Sequence, residues 1–255
     1  MQDFIAVLDF GSQYAHLIAK RIRHLGAYTK IFSLSAKENL LQDAKGIVLS
    51  GGPASVYSTD IPKFNSNILN LDLPILGLCY GHQLIAKEFG GAITNTGKGE
   101  FGKAILQQTS DFPLWQNVSF PNKVWMSHQD SVTKCPPDFK VTGVTESGNV
   151  AAMRHRKRRI YTLQFHPEVN DTEQGQKMLD NFINTCEISS KWSMETFIKE
   201  TTERLQQEVG ERKVLMFISG GVDSSVAFAL LNKALGKEKI LGLYINNGFM
   251  RKDES

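Results

Sequence analysis

Short apolar runs alternate with amphipathic stretches through the first part of the chain. The runs at 4–8, 28–32, 46–49 and 74–78 have the length of strands, whereas 15–25 and 83–89 carry helical spacing. Strands of this length, joined by connections long enough for crossover helices, predict an α/β fold with a mainly parallel sheet. In such a sheet reactive groups gather at the carboxyl ends of the strands.

From 101 to 163 the pattern changes. Strand-like runs at 123–126, 139–144, 150–153 and 160–163 follow one another without helical spacing between them, separated by Pro, Gly, Asn and basic clusters. They predict a meander of partly antiparallel strands at one side of the sheet. Helical spacing returns at 172–186 and closes a first domain over 1–187. A linker and lead-in helix follow over 188–210, with Phe197, Ile198, Thr201, Leu205 and Val209 on one helical face. The start of a second α/β domain covers 211–255: strand 214–218, glycine turn 219–225, helix 226–235 and strand 240–245. Two strands cannot bury a parallel sheet on both faces, so this domain is expected to continue beyond Ser255.

Composition alters this picture little. With 255 residues, 41% hydrophobic and 22% charged, the chain is of ordinary globular make-up. The net charge of +3 is thinly spread apart from a dense cluster at 154–159, which fits a solvated hairpin turn better than a nucleic-acid surface. The three cysteines are odd in number and lack CxxC spacing, so neither disulfides nor zinc are expected and a reducing cytoplasm is. No run approaches the ~20 apolar residues of a membrane span, and the N-terminus lacks the basic flank of a leader, so no membrane partner or processing is expected.

The sharpest chemical signal follows the run at 73–78. Gly77-Leu78-Cys79-Tyr80-Gly81-His82-Gln83 leads from strand to helix, and small residues around a central nucleophile permit the tight turn called a nucleophile elbow, written here G-x-C-x-G. A lone cysteine in an apolar run is ordinarily inert core, but flanking glycines at a helix N-terminus, where the dipole favours thiolate, point to a nucleophile. Cys135 and Cys186 lack that context. A thiol nucleophile needs a base, and the base an orienting partner. His166-Pro167-Glu168, just past the strand 161–165, supplies both; His82 and His128 compete for the role of base. Ser50-Gly51-Gly52-Pro53 also follows a strand, and the N–H of Gly52 with that of Tyr80 suits an oxyanion hole.

A second signal follows 214–218: Ser219-Gly220-Gly221-Val222-Asp223-Ser224-Ser225. Glycines that let the backbone wrap a polyanion, hydroxyl donors and a following helix N-terminus predict a phosphate site. The Walker A lysine is absent. Asp223 would repel bare phosphate and makes sense where Mg²⁺ bridges it to a nucleotide.

Residues 4–186, with motifs at Gly51, Cys79 and His166, resemble the class I glutamine amidotransferases of the triad type. The resemblance implies a flavodoxin-like mixed sheet flanked by helices, with Cys79 as nucleophile, His166 as general base and acid, Glu168 as orienter, and Gly51, Gly52 and Tyr80 about the oxyanion. It also implies that Gln83 and the turn Ser127-His128-Gln129-Asp130 hold the substrate glutamine. The S-G-G-x-D-S loop is similar to the pyrophosphate loop of N-type ATP pyrophosphatases, and 244–251 resembles that family's second nucleotide-contacting strand end. The order of the two modules resembles the GMP synthase family. That resemblance implies glutamine, ATP with Mg²⁺ and xanthosine monophosphate (XMP) as substrates, no tightly bound cofactor, and a homodimer formed through a region beyond residue 255. Three rival readings stand beside it: a glutaminase that only supplies ammonia to a partner synthetase, a γ-glutamyl or peptide thiol hydrolase, and a flavodoxin-like binding module in which Cys79 and His166 are incidental.

Overall fold

The computed structural model describes residues 3–12, 14–52, 56, 64–95, 99–189 and 191–245. The chain divides into two compact units, Met1–Lys191 and Trp192–Ser255. In chain order the first holds β1 (Phe4–Asp9), α1 (Tyr14–His24), β2 (Thr29–Ser33), β3 (Ala44–Leu49), β4 (Ile75–Leu78) and α2 (Tyr80–Glu88). It continues with β5 (Ala92–Thr94), β6 (Glu100–Gln108), β7 (Asn122–His128), β8 (Ser131–Lys134), β9 (Phe139–Thr145), β10 (Val150–His155), β11 (Ile160–Leu163) and α3 (Gly175–Thr185).

Among the described residues nine strands form one sheet in the order β2-β1-β3-β4-β11-β10-β9-β6-β7. The β2-to-β11 half is parallel, and β10, β9, β6 and β7 add to it antiparallel, as the change of pattern at 101 predicts. Along β1 successive residues serve opposite faces. Ile5 and Val7 pack with Ile18 and Ile22 of α1 and Met178 and Phe182 of α3, whereas Ala6 and Leu8 pack with Leu84 and Ile85 of α2. Both faces of the parallel half are thus covered, which is why its strands read as unbroken apolar runs. The basic cluster spans the end of β10 and the turn into β11; there Arg158 donates to the carbonyls of Leu69 and Leu71 and Arg159 pairs with Glu187 at 3.1 Å.

In the first unit two helix starts and one small sheet differ from expectation. Helix α2 begins at Tyr80, not 83, so the elbow is itself the first helical turn. Helix α3 begins at Gly175, not 172, because Thr172 spends its hydroxyl on the carbonyl of His166. The small sheet of β5 and β8 was not anticipated, since runs of three and four residues carry too little periodicity.

The elbow glycines are set by contact. A Cβ on Gly77 would lie 2.6 Å from the Gly81 carbonyl oxygen, and one on Gly81 would lie 2.5 Å from that of Leu49. With β4 and α2 this close, Cys79 takes φ 51° and ψ −100°, a conformation unfavourable for a residue with a Cβ.

In the second unit α4 (Met194–Val209) precedes β12 (Val214–Ile218), α5 (Val222–Leu235) and β13 (Ile240–Tyr244), with β12 and β13 parallel. Ser193 caps α4 by accepting from the N–H of Thr196. Ile198, Thr201, Leu205 and Val209 turn inward, but Phe197 is exposed and packs beside Trp192. One face of the strand pair meets Phe228 of α5; on the other, Leu215, Phe217, Leu241 and Leu243 are exposed. No helix among the described residues is long and apolar enough to cross a membrane.

The Gly81 contact makes the elbow intolerant of one methyl group. Gly81→Ala should lower unfolding free energy by about 1–3 kcal/mol, the usual cost of overpacking, read as a shift in denaturant midpoint at unchanged slope.

Candidate active site

Strands β3, β4 and β11 are neighbours, with Leu49 opposite Gly77 and Leu78 opposite Leu163. Their carboxyl ends therefore lie side by side, and the three segments that follow them, 50–52, Cys79 and 164–168, open onto one cavity of about 740 Å³. Gly51, Gly52, Cys79, Tyr80, Gln83, Ser127, His128, Gln129, Asp130 and His166 all line it. A Cβ on Gly51 would lie 3.3 Å from Cε1 of His166 and 3.7 Å from Cβ of Cys79, so this glycine keeps the space between thiol and imidazole clear.

Cys79 is buried, its N–H held by the carbonyl of Leu163 at 2.8 Å. The thiol donates to the carbonyl of Ser127 at 3.7 Å and accepts from Nε2 of Gln164 at 3.8 Å. The His166 imidazole lies beside Cys79 across the space left by Gly51 and is held through Nδ1 by Oε1 of the fully buried Glu168 at 2.8 Å. Tyr14 lies against the ring with centroids 4.7 Å apart. Burial is the largest single influence on His166 and favours the neutral ring, but the Glu168 charge, the neighbouring Cys79 and the hydrogen bond to Glu168 outweigh it. The pKa is raised well above the ordinary histidine value.

The competing histidines are occupied otherwise. His82 points into the core beneath α2, with Nδ1 2.9 Å from Thr162 Oγ1 and Nε2 buried without a partner among the described residues; desolvation, then the neighbouring His128, lower its pKa to about 3. His128 lines the cavity but is tied through Nδ1 to the carbonyl of Asp130 at 2.9 Å and through Nε2 to Glu100 at 3.2 Å. Burial works against the Glu100 charge, yet bonds from His128, Ser147, Thr145 and Asn149 bring that carboxyl down to about 2. Gln83 donates to the carbonyl of Asp130 at 2.7 Å and to Gln164 Oε1 at 3.2 Å, so its amide braces the cavity wall. Of the other thiols, Cys186 is pushed up to about 12 and Cys135 is also raised, both chiefly by burial.

Several residues at this site carry no sequence motif. Ser12, Tyr14, Asn95 and Phe101 line the cavity, Gln164 touches the sulfur, and Thr172 holds His166. Ser12 and Tyr14 follow the carboxyl end of β1, and the strand-end rule could have singled them out.

In the second unit Ser219 to Ser225 form an exposed loop and the first turn of α5, so Val222, Asp223, Ser224 and Ser225 are helical where a turn was expected. Gly220 takes φ 79°. Ser224 and Ser225 each donate to the Gly221 carbonyl at 3.0 Å, and Ser219 Oγ lies 3.1 Å from Ser224 Oγ. The first N–H groups of α5 thus face the glycine turn unpaired by the helix. Asn246 to Arg251 of the second expected nucleotide strand end, and Pro53 of the first-unit turn, lie outside the described residues. Among the described residues no group of three His, Cys, Asp or Glu could hold a metal ion.

Two titrations follow. Glu168→Gln removes the charge that sustains imidazolium and leaves burial, so the His166 titration, followed by NMR of the ring, should move down. His82 carries a folded pKa of about 3 against 6.5 when unfolded, so the unfolded chain binds the extra proton between those values. Its contribution to stability should fall by about 1.4 kcal/mol per pH unit as pH drops through that window. His82→Gln should flatten the wild-type loss of denaturant midpoint between pH 6 and pH 4.5.

Residues 6–186 match the family model described as glutamine amidotransferase class-I, and 193–255 match that described as NAD synthase. A probable GMP synthase (glutamine-hydrolyzing) of Leptospira interrogans is 47% identical over 253 residues, covering 98% of this chain and 42% of the relative. A GMP synthase of Campylobacter hominis is 46% identical over 254 residues, covering 98% of this chain and 50% of the relative. The chain thus spans half or less of these relatives' length. The crystal structure of a putative GMP synthase subunit from Thermoplasma acidophilum superposes with a TM-score of 0.68 at 30% identity, covering 80% of this chain and 98% of that one. With the match over 6–186 as its measure, the chain belongs to the class-I glutamine amidotransferase family.

Proposed function

We propose that the first unit hydrolyses glutamine to glutamate and ammonia, with Cys79 as nucleophile, His166 as general base and acid, and Glu168 as the carboxylate that orients the imidazole. The observation that carries this reading is the meeting of thiol and imidazole in one cavity, with the buried Glu168 carboxylate on Nδ1 of the ring and Gly51 holding open the space where a carbonyl would sit.

His166 takes the thiol proton and the sulfur attacks the side-chain amide carbon of glutamine. The N–H groups of Gly52 and Tyr80 receive the oxyanion. As the tetrahedral adduct collapses, the C–N bond breaks and the imidazolium gives its proton to the departing nitrogen, releasing ammonia and leaving a γ-glutamyl thioester. Water then attacks with His166 as base, the C–S bond breaks as the imidazolium returns its proton to the Cys79 sulfur, and glutamate leaves. Gln83 and Ser127 to Asp130 form the wall that holds the amino-acid end of glutamine, Gln83 through its grip on the Asp130 carbonyl.

In the fuller reading the ammonia serves GMP synthesis. The loop Ser219, Gly220, Gly221, Val222, Asp223, Ser224 and Ser225 binds the phosphates of ATP, with Mg²⁺ carried in by the nucleotide and met by Asp223. ATP adenylates the 2-oxygen of XMP with release of pyrophosphate, and ammonia then displaces AMP to give GMP. Support comes from the order of the two family matches and from the names of the relatives. The corresponding division is a glutaminase over 1–187, a linker and lead-in helix over 188–210 and an ATP pyrophosphatase segment from 211, in a cytoplasmic homodimer. The second reading, a glutaminase feeding a separate synthetase, is favoured by the Thermoplasma protein, which is named as one subunit of a synthase and is matched over 98% of its length. ATP and XMP raising glutamine turnover by this same chain would favour the first.

A glutamine-mimicking chloroketone should label Cys79 and no other thiol by mass spectrometry, with excess glutamine protecting it. Cys79→Ala should lower ammonia release by about 10³-fold or more, to the level of the background reaction. Unchanged hydrolysis in that variant would exclude the thiol mechanism.

A further inference from the structure

We propose that Thr172 is a positioning residue of this centre, its hydroxyl fixing the peptide of His166 to the open edge of β7. This rests on the reading of Cys79 and His166 as nucleophile and base.

Among the described residues, strand β7 ends the nine-stranded sheet and pairs with β6 on one side. On its other edge alternate residues present backbone groups that need partners. Those partners come from the segments that carry the reactive side chains. The carbonyl of Lys123 accepts from the N–H of Glu173 at 3.1 Å, that of Trp125 from the N–H of His166 at 3.1 Å, and that of Ser127 from the Cys79 thiol at 3.7 Å. One edge therefore sets the position of both nucleophile and base.

The ladder has a gap, because the Trp125 N–H and the His166 carbonyl are not bonded to each other directly. Thr172 fills it with a side chain. Its Oγ1 accepts from the N–H of Trp125 at 3.0 Å and donates to the carbonyl of His166 at 2.6 Å, while the N–H of His166 returns to the Trp125 carbonyl. The result is a closed ring of three hydrogen bonds that fixes both ends of the His166 residue and so the direction of its Cα–Cβ bond. Thr172 is 4% exposed, which leaves solvent little access to replace the hydroxyl. Gly175 protects the same turn from the far side, where a Cβ would overlap the Pro167 carbonyl. Glu168 then needs only to set the ring about an axis already fixed, its own carbonyl held by Arg21 Nε at 2.9 Å.

The test compares Thr172→Val, which exchanges hydroxyl for methyl at nearly constant volume, with Thr172→Ser, which keeps the hydroxyl. The readouts are kcat and KM for glutamine and the rate of Cys79 labelling by the chloroketone, with thermal midpoints alongside. Valine should lower kcat and labelling by about 10- to 100-fold, the scale of an ångström-level misplacement, with KM within a few-fold. Serine should restore most of both rates even where its thermal midpoint stays low. If valine does not fold, Thr172→Ala, which adds no bulk, takes its place against serine. Wild-type rates in the hydroxyl-free variant, or equal losses in serine and valine that follow the thermal midpoint, overturn the clamp while leaving the glutaminase reading intact provided Cys79→Ala is inactive. An active Cys79→Ala overturns both together.

Discussion

The structure depends on how closely the first turn of α2 approaches the carboxyl ends of β3 and β4. Two positions without side chains, Gly77 and Gly81, allow that approach, and at each a Cβ would press on a carbonyl oxygen. Because the helix starts this near the strand, Cys79 has no relaxed way to join them and is held at φ 51°. The backbone strain and the exposure of the thiol to the cavity are one fact seen from two sides. Packing of α2 through Leu84 and Ile85 against the sheet supplies the burial that holds the turn in place.

Above this frame, three histidines near one site show how surroundings divide a single residue type among tasks. His82, under the helix, meets only a threonine hydroxyl and stays neutral into acid. His128 is bound at both nitrogens and stiffens the turn that runs to Asp130. His166 is almost as buried as His82 but has a carboxylate at Nδ1, and its charged form is favoured instead. Depth alone would set His82 and His166 alike; the Glu168 carboxylate reverses the sign for His166.

Much of this was legible in the residues. Strand β4 and the elbow announce themselves because an apolar run meets small residues around Cys79, and His-Pro-Glu stands out because proline fixes the offset of ring and carboxylate. The parallel and antiparallel halves were visible as a loss of helical spacing after 101. What sequence did not reveal lies in contacts between distant segments. Thr172 is an unremarkable polar residue until Trp125 and His166 close around it from 47 and 6 residues away. Gln83 lines the cavity as expected of it, but the bonds that turn its amide to Asp130 and Gln164 join segments far apart in the chain. The starts of α2 and α5 were placed late because both helices open on turns rich in glycine, which reads as loop when the packing partner is not known.

The open edge of β7 has one more consequence. A sheet that stops at a strand with unspent N–H and C=O groups is a template on which another chain can lay a strand, and folded proteins guard such edges. Here the guard is the segment that carries His166, Thr172 and Glu173, so the bonds that seat the base also keep the sheet from growing into a neighbouring molecule. Resistance to self-association and the geometry of a proton carrier therefore draw on the same few bonds, and selection for either would preserve the other.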